Sequence, residues 1–219
     1  MLDDLDRELW ERGHRFVRYA DDVRVFVRSE RAARRVLGRV TDVVERRLKL
    51  KVNRAKSGVR HARQATLLGF GFYLASGRAR IRVDPKAIRR MRQRIRVLTG
   101  RNRRIAMEER IEALNRYIAG WCAYFALAET PAPFVRVDSW LRRRLRQVRW
   151  KEWKLPKARV RAIRALGIPA AKAYEWGNSS KGHWRVARSG ILQHALPNAY
   201  WTNLGLRGFA DNYHRLRNT

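Results

Sequence analysis

The chain is 219 residues long and carries 51 Lys and Arg against 19 Asp and Glu, a formal net charge of +32. Its 45% of hydrophobic residues exclude a simple disordered basic tail, and its length permits one or two domains with a real core. A folded body with this charge repels itself unless a polyanion covers it, which favours a nucleic-acid partner, with an anionic membrane surface as the alternative.

The positive charge is unevenly distributed and is mostly arginine. Residues 1–45 carry 10 acids and 10 bases, whereas residues 46–219 carry 9 acids and 41 bases. Arg outnumbers Lys by 42 to 9. The planar guanidinium of Arg binds phosphate with two N–H groups and stacks on bases. We therefore expect the nucleic acid to lie on the part of the chain after residue 45.

Several classes of protein are excluded by what the sequence lacks. Cys122 is the only cysteine, which excludes an internal disulfide and a cysteine-based zinc module. No apolar run approaches the ~20 residues of a membrane-spanning helix, and the N-terminus is acidic, unlike a signal peptide. We expect a soluble cytoplasmic protein in which Cys122 is a small buried residue.

The first part of the chain predicts helices around a hairpin. Leucines at helical spacing predict an amphipathic helix over residues 2–12. Alternating apolar residues on both sides of Asp21-Asp22 predict a β-hairpin with the two carboxylates at its tip. Ser29 is placed to cap a following helix, whose apolar residues keep helical spacing as far as Leu48.

Strand patterns continue to Val83 and then stop. Short strands are predicted over residues 50–52, 67–74 and 78–83. The sequence therefore predicts an α+β fold up to about residue 83 and an all-α region after it.

The sequence signals that start and stop helices are clear in the second part of the chain. Asp84 and Pro85 open a helix with arginines on one face, and a longer apolar stripe follows after a loop over residues 99–104. The remaining predicted helices lie over residues 107–125 and 137–153, between Pro156 and Gly167, after Pro169, and near residues 206–216.

The tetrapeptide Tyr19-Ala20-Asp21-Asp22 carries the clearest chemistry. Adjacent carboxylates repel each other, so holding them at one turn costs free energy unless a cation binds there. Mg²⁺ prefers carboxylate oxygens, and two such ions can hold both oxygens of a phosphoryl displacement. The alternative is an ordinary polar turn, in which Asp is common.

With this motif, the sequence resembles the C-terminal half of a bacterial group II intron reverse transcriptase/maturase. The tetrapeptide resembles the catalytic palm motif of reverse transcriptases. Asn115 to Phe125 resembles the core of the maturase-specific domain, as does the arginine-rich stretch that leads into Trp150 to Lys154. The blocks that match in order are residues 2–9, 15–26, 50–57, 68–70, 114–125 and 140–154.

The resemblance implies a partial reverse-transcriptase palm over residues 1–83. A thumb-like maturase-specific domain would follow over residues 84–155, and a helical extension over residues 156–219. The implied partners are intron RNA, an RNA/DNA primer-template and dNTP, with no membrane partner, and the implied cofactor is a pair of Mg²⁺ ions. The implied site residues are Asp21 and Asp22 as catalytic metal ligands, with Tyr19, Ala20 and Lys56 near the primer or the incoming nucleotide.

The sequence departs from this family at its beginning. Members have fingers and an earlier palm strand with a further metal-binding Asp, but only 18 residues precede Tyr19. Asp3, Asp4 and Asp6 lie on the polar side of the first predicted helix, so we expect solvated residues there. We expect a truncated copy, a fragment or one piece of a split enzyme, not competent as a polymerase alone.

Two readings of function therefore stay open. The first is an RNA-directed DNA polymerase with maturase activity, completed by a separate fingers and palm half or by a homo-oligomer. The second is a non-catalytic RNA-binding splicing factor of maturase type, or a nonfunctional remnant.

The candidate RNA contacts lie in two arginine-rich segments. From Arg89 to Arg104 there are eight bases and no acid, whereas solvated helix faces normally mix both signs. Trp150 and Trp153 would stack on exposed bases or pack between helices. The predicted contacts are Arg89, Arg90, Arg92, Arg94, Arg96, Arg101, Arg103, Arg104, Arg142, Arg143, Arg144, Arg146, Lys151 and Lys154.

Overall fold

The computed structural model describes residues 2–218, which form two compact units, residues 2–80 and residues 81–218. Helices account for most of the described residues, and two small antiparallel sheets lie before residue 84. This arrangement confirms the predicted α+β class. No helix within the described part of the chain is long and apolar enough to cross a membrane.

The N-terminal unit begins with the predicted helix, hairpin and second helix. These elements are α1 (Asp3–Glu11), β1 (Arg15–Tyr19), β2 (Asp22–Phe26) and α2 (Glu30–Asp42), which continues as a π-helical turn (Val43–Arg47). The Ser29 Oγ accepts a hydrogen bond from the N–H of Ala32 at 3.2 Å, so the predicted cap of α2 is formed. A small core joins these elements around the buried Leu5, Leu9 and Val43.

A three-stranded sheet follows, but its first part differs from the prediction. It consists of β3 (Thr66–Leu67), β4 (Phe70–Ala75) and β5 (Arg78–Val83), in that order. The single strand predicted over residues 67–74 is split, because Leu68 (φ 52°) and Gly69 (φ 81°) both adopt left-handed backbone conformations and reverse the chain. Such conformations at both central residues are typical of a two-residue hairpin turn.

The predicted strand over residues 50–52 is wrong. Lys49 has a φ of 55°, and the N–H of Leu50 donates to the carbonyl oxygen of Val44 at 2.9 Å. The chain therefore folds back against the end of the preceding helix. The backbone there has no partner strand in either described sheet, and an unpaired segment does not form a strand.

The C-terminal unit is built from helices, and β5 runs into it. The helices are α3 (Pro85–Leu98), α4 (Met107–Tyr124), α5 (Ala132–Glu152), α6 (Pro156–Ala165), α7 (Ala170–Gly177), α8 (His183–Val186), α9 (Gly190–Ala195), α10 (Asn198–Asn203) and α11 (Phe209–Arg217). The predicted caps at Asp84 and Pro85 are formed. The short helices α8 to α10 were not predicted, because four to six residues hold too little periodicity.

Helix α5 begins earlier than the predicted residue 137. Pro133 occupies its first turn, where the missing N–H of proline has no intrahelical partner to lose. Proline therefore marks the start of this helix and not a break before it.

The core of the C-terminal unit lies between α4, α5 and α11. The ring centroid of Trp121 lies 5.6 Å from those of Phe134 and Phe209, and the Tyr213 ring stacks on Phe134 at 4.1 Å. The Tyr213 hydroxyl donates to the carbonyl oxygen of Ala128. The end of the chain is thus held by both long helices.

Polar side chains of α4 and α5 also hold the start of α11. The Asp138 carboxylate accepts hydrogen bonds from the N–H groups of Phe209 at 2.7 Å and Ala210 at 2.9 Å. On α4, Asn115 donates to the carbonyl oxygen of Gly205 at 2.7 Å and accepts from the N–H of Arg207 at 2.9 Å. Asp138 therefore satisfies two of the backbone donors that every helix N-terminus leaves free.

We expect the substitution Asp138→Ala to lower the free energy of unfolding by about 3 kcal/mol, because a buried unsatisfied N–H costs about 1–3 kcal/mol and two would be left. Chemical denaturation followed by circular dichroism measures this change. Asp211→Ala is the matched control, because Asp211 is an exposed acid in the first turn of the same helix, where a charge contributes less than about 1 kcal/mol. Equal losses in both variants would contradict this role of Asp138.

Cys122 gives a second test of the same core. The residue is fully buried, and burial, with the nearby Asp138 carboxylate, raises the pKa of its thiol to about 12. At pH 8 the thiol would be both inaccessible and protonated, so we expect Ellman's reagent to react with it only as fast as the protein unfolds. Adding guanidinium chloride should accelerate the reaction in step with unfolding; rapid complete labelling of the native protein would contradict this packing.

Candidate nucleic-acid interface

In the N-terminal unit, the two predicted carboxylates lie at the tip of the β1–β2 hairpin. Tyr19 pairs with Asp22 across the hairpin, so Ala20 and Asp21 form its turn. Ala20 adopts a left-handed conformation with a φ of 52°. All four residues of the motif are exposed to solvent. The structure therefore places the motif where the sequence predicted it.

Arg18 of this hairpin binds two acids of α1. Arg18 Nε donates to Asp6 Oδ1 at 2.8 Å, and Arg18 Nη2 donates to Asp6 Oδ2 at 2.5 Å and to Asp3 Oδ1 at 3.1 Å. Arg18 Nη1 also donates to the carbonyl oxygen of Ala20 at 3.2 Å. Asp3 is exposed as expected, but Asp6 is a half-buried partner of Arg18, which links α1 to the turn.

The hairpin does not fit a two-metal site. Across residues 2–218, no three or more His, Cys, Asp and Glu side chains are grouped so that they could hold a metal ion. Asp21 and Asp22 are exposed, and Asp22 Oδ1 lies 3.8 Å from Arg24 Nη1, a cation that competes with Mg²⁺. Two carboxylates beside an arginine supply too few ligands for two Mg²⁺ ions, so we derive no metal-dependent step from this hairpin.

Lys56 lies in an exposed turn over residues 54–56 of the same unit. Its backbone N–H donates to Asn53 Oδ1 at 3.2 Å. The role of Lys56 beside an incoming nucleotide stays a prediction.

In the C-terminal unit, two separate predicted segments converge on one cavity. The α3–α4 loop and the last turns of α5 enclose about 850 Å³, which we name the basic pocket. Its lining residues are Arg101, Asn102, Arg103, Arg104, Ile105, Ala106, Val148, Lys151, Glu152 and Lys154. All five cations among them were predicted RNA contacts.

The electrostatic field of the basic pocket is strongly positive. Five cationic side chains stand against one acid, Glu152, whose Oε2 already accepts from Arg149 Nη1 at 2.9 Å. A concave surface lined by one sign of charge concentrates counter-ions of the other sign. The pocket is therefore built to bind anions.

The loop side of the pocket is held by a buried arginine on α4. Arg110 Nη1 donates to the carbonyl oxygens of Leu98 at 2.7 Å and Gly100 at 3.2 Å, and its Nη2 donates to that of Arg103 at 3.2 Å. Burial lowers the pKa of Arg110. The last carbonyls of a helix lack intrahelical partners and carry partial negative charge, which makes a cation favourable here.

Arg144 on α5 reaches the same loop from another side. Its Nε donates to Thr99 Oγ1 at 2.5 Å, and its Nη2 donates to the carbonyl oxygens of Thr99 at 3.3 Å and Arg96 at 3.4 Å. The Thr99 hydroxyl in turn donates to the carbonyl oxygen of Ile95 at 2.6 Å. Arg144 was a predicted RNA contact, but its Nε and Nη2 groups already donate to Thr99 and Arg96, which argues against a role in RNA binding.

Other arginines of α5 also point inward. Arg146 is buried, with Nε donating to Ala187 O at 3.1 Å and Nη1 donating to Leu196 O at 3.4 Å. Burial lowers the pKa of Arg146 to about 10. Arg143 donates to Trp184 O at 2.9 Å, with its guanidinium 3.8 Å from that ring centroid. These contacts argue against RNA binding by Arg146 and Arg143, while Arg142 is half-buried.

The arginine-rich face of α3 is open to solvent, as predicted. Four of its arginines are exposed, whereas Arg92 is half-buried, 5.8 Å from the Trp140 ring centroid. Within residues 2–218, no ion pair joins an acid to these five side chains. The exposed members are Arg89, Arg90, Arg94 and Arg96.

Of the two tryptophans predicted either to stack on bases or to pack between helices, Trp150 packs within the protein. Trp150 is buried, with the Trp153 ring at 6.0 Å and the Arg159 guanidinium at 4.9 Å from its ring centroid. Trp150 therefore has no face open to a base, while Trp153 is half-buried.

Sequence reasoning missed Arg110, the side chain that shapes the loop. A signal was present, because Arg110 lies three residues after Met107 and four before Leu114, on the apolar stripe of α4. A charged residue at a core position needs partners, and only the fold shows that these partners are loop carbonyls.

The comparison with known families agrees with the geometry of this unit. The family described as "Group II intron, maturase-specific domain" matches residues 88–167. The matched range includes most of α3, all of α4 to α6, and every residue that lines the basic pocket. A comparison with curated proteins found no significant match. Residues 88–167 therefore match the group II intron maturase-specific domain, and this match supports the resemblance of this part of the chain to the C-terminal region of a group II intron maturase.

Proposed function

We propose that this chain binds the RNA of a group II intron through its maturase-specific domain and assists splicing without polymerase chemistry. The observation that carries the proposal is the convergence of five cations, from two separate segments of the matched domain, on one pocket. A maturase-specific domain implies intron RNA as the partner.

The distribution of free charge supports RNA as the ligand of this surface. The exposed arginines of α3 lead directly into the loop that carries Arg101, Arg103 and Arg104. Cations without acidic partners bind phosphates and release the counterions condensed on RNA, which supplies most of the affinity at low salt. The arginines of α5 that bind backbone carbonyls are occupied within the protein, so the exposed arginines of α3 and its loop are better placed to bind RNA.

A second candidate function is RNA-directed DNA polymerase activity. The observation that favours it is the pair of adjacent carboxylates at the hairpin tip, in the motif that resembles a reverse-transcriptase palm. Two observations argue against it: the hairpin supplies only two carboxylates as metal ligands, and Arg24 lies close to one of them, Asp22. We therefore place it second for this chain.

We expect the affinity of the protein for a structured RNA to fall by orders of magnitude between about 50 mM and about 200 mM salt. In the double variant Arg101→Ala/Arg104→Ala, the slope of log K against log[salt] should become shallower by about one unit per arginine. Fluorescence anisotropy at several salt concentrations measures both slopes.

The matched control for this experiment is Arg136→Ala, an exposed arginine near the start of α5 and outside the basic pocket. A wild-type affinity that does not change with salt, or equal affinity for heparin and structured RNA, would contradict specific RNA binding. An equal loss of slope in the control would contradict the role of the pocket.

Primer extension separates the two candidate functions. On a poly(rA)/oligo(dT) template with Mg²⁺ and dTTP, we expect no product from this chain, because the hairpin supplies too few metal ligands. Product that disappears in the variant Asp21→Ala would establish the polymerase as a function of this hairpin. Product that persists in Asp21→Ala would refute the assignment of polymerase chemistry to this hairpin.

A further inference from the structure

We propose that the basic pocket holds one unpaired nucleotide of the RNA, with its base and ribose on the apolar floor and its flanking phosphates on the cationic rim. The inference rests on the proposed function and adds a class of RNA feature to it: a bulged or otherwise unstacked nucleotide.

The size of the pocket supports a single nucleotide. Its volume of about 850 Å³ falls within the range of about 300–1,000 Å³ that small-molecule sites occupy. A regular RNA duplex keeps its bases stacked inside and presents a convex backbone, so its bases cannot enter a cavity. Only a nucleotide that leaves the stack can fill the space.

The lining has an apolar part and a polar, cationic part, which match the base and the phosphates of a nucleotide. Ile105 and Ala106 offer apolar surface for a base or ribose face, whereas Val148 is buried behind the wall of the pocket. Asn102 offers an amide that donates and accepts hydrogen bonds. Arg101 and Lys151 reach the cavity from the loop and from α5, respectively. Proteins recognise splayed RNA bases with this combination of apolar contact and polar groups.

The loop side of the pocket is held by hydrogen bonds without any ligand. Arg110 joins three backbone carbonyls of the loop and its approach, those of Leu98, Gly100 and Arg103. A site that is already ordered loses less conformational entropy on binding, which favours one defined occupant over loose backbone contact.

The surroundings of the pocket favour a nucleotide within RNA over a free nucleotide. Helix α3 ends at Leu98, and the loop over residues 99–104 follows it directly. The exposed arginines of α3 therefore continue from the pocket as a track for the phosphates on one side of the bound nucleotide.

The test compares two RNA hairpins, one with a fully paired stem and one with a single-nucleotide bulge in the same stem. We expect the bulged hairpin to bind at least about tenfold more tightly in fluorescence anisotropy at fixed salt, and this preference should persist as the salt concentration rises, because a gain from one added phosphate contact would fade with salt. Equal affinity for both hairpins would overturn the proposal. Displacement of the bulged hairpin by ATP at concentrations near the Kd of the RNA would overturn the assignment to an RNA nucleotide.

The variant Ala106→Leu separates the pocket floor from the surrounding charge. It adds bulk to the apolar floor, keeps every cation, and offers no aromatic ring for a base to stack on. We expect it to bring the affinity for the bulged hairpin down to nearly the affinity that the same variant has for the paired hairpin. An undiminished preference would overturn the placement of the nucleotide.

Ala132→Leu is the matched control, because both alanines are exposed and begin a helix. Ala132 lies 16 residues before Val148 on α5, a distance of about 24 Å at 1.5 Å per residue. We expect this control to keep the wild-type preference. Steep salt dependence without a preference for the bulge would refute only this inference, whereas a flat salt response would refute the proposed RNA binding itself.

Discussion

The fork of hydrogen bonds from Arg110 is the interaction that shapes the part of the chain that matches the maturase-specific domain. A buried guanidinium on α4 binds carbonyls on both sides of the turn that ends α3, and Arg144 binds the same turn from α5. Burying a cation is costly unless it is paired, and here the carbonyl oxygens of Leu98, Gly100 and Arg103 accept from Nη1 and Nη2, while the buried Nε has no hydrogen-bond partner. The loop that carries the outward arginines therefore takes its shape from two inward ones.

Arginine serves two purposes in this chain, and burial separates them. On α5, Arg143, Arg144 and Arg146 donate to backbone carbonyls of neighbouring segments and hold the helices of this unit together. On α3 and its loop, the arginines other than the half-buried Arg92 are exposed, and none has an acidic ion-pair partner among residues 2–218. A net charge of +32 is thus partly a structural requirement, because some of it neutralises helix ends within the fold.

Much of the fold was predictable where local chemistry decides it. The hairpin around Asp21 and Asp22, the Ser29 cap and the helix opened by Asp84 were all predicted and are present. The failures have tertiary causes. Residues 50–52 have strand composition but no partner strand, and Leu68 takes a left-handed conformation that a β-prone pattern does not indicate.

The sequence by itself determined which residue types are available: a charge that favours a polyanionic partner, a pair of adjacent carboxylates, and motifs that resemble those of group II intron maturases. It also determined the α+β class, because periodicity and caps act over a few residues. Only the tertiary structure decided which arginines reach solvent. The sequence predicted both Arg104 and Arg146 as RNA contacts. In the folded protein Arg104 lines the basic pocket, whereas Arg146 is buried and donates to two backbone carbonyls. The sequence could not separate them, because the carbonyls that bind Arg146 lie 41 and 50 residues further along the chain.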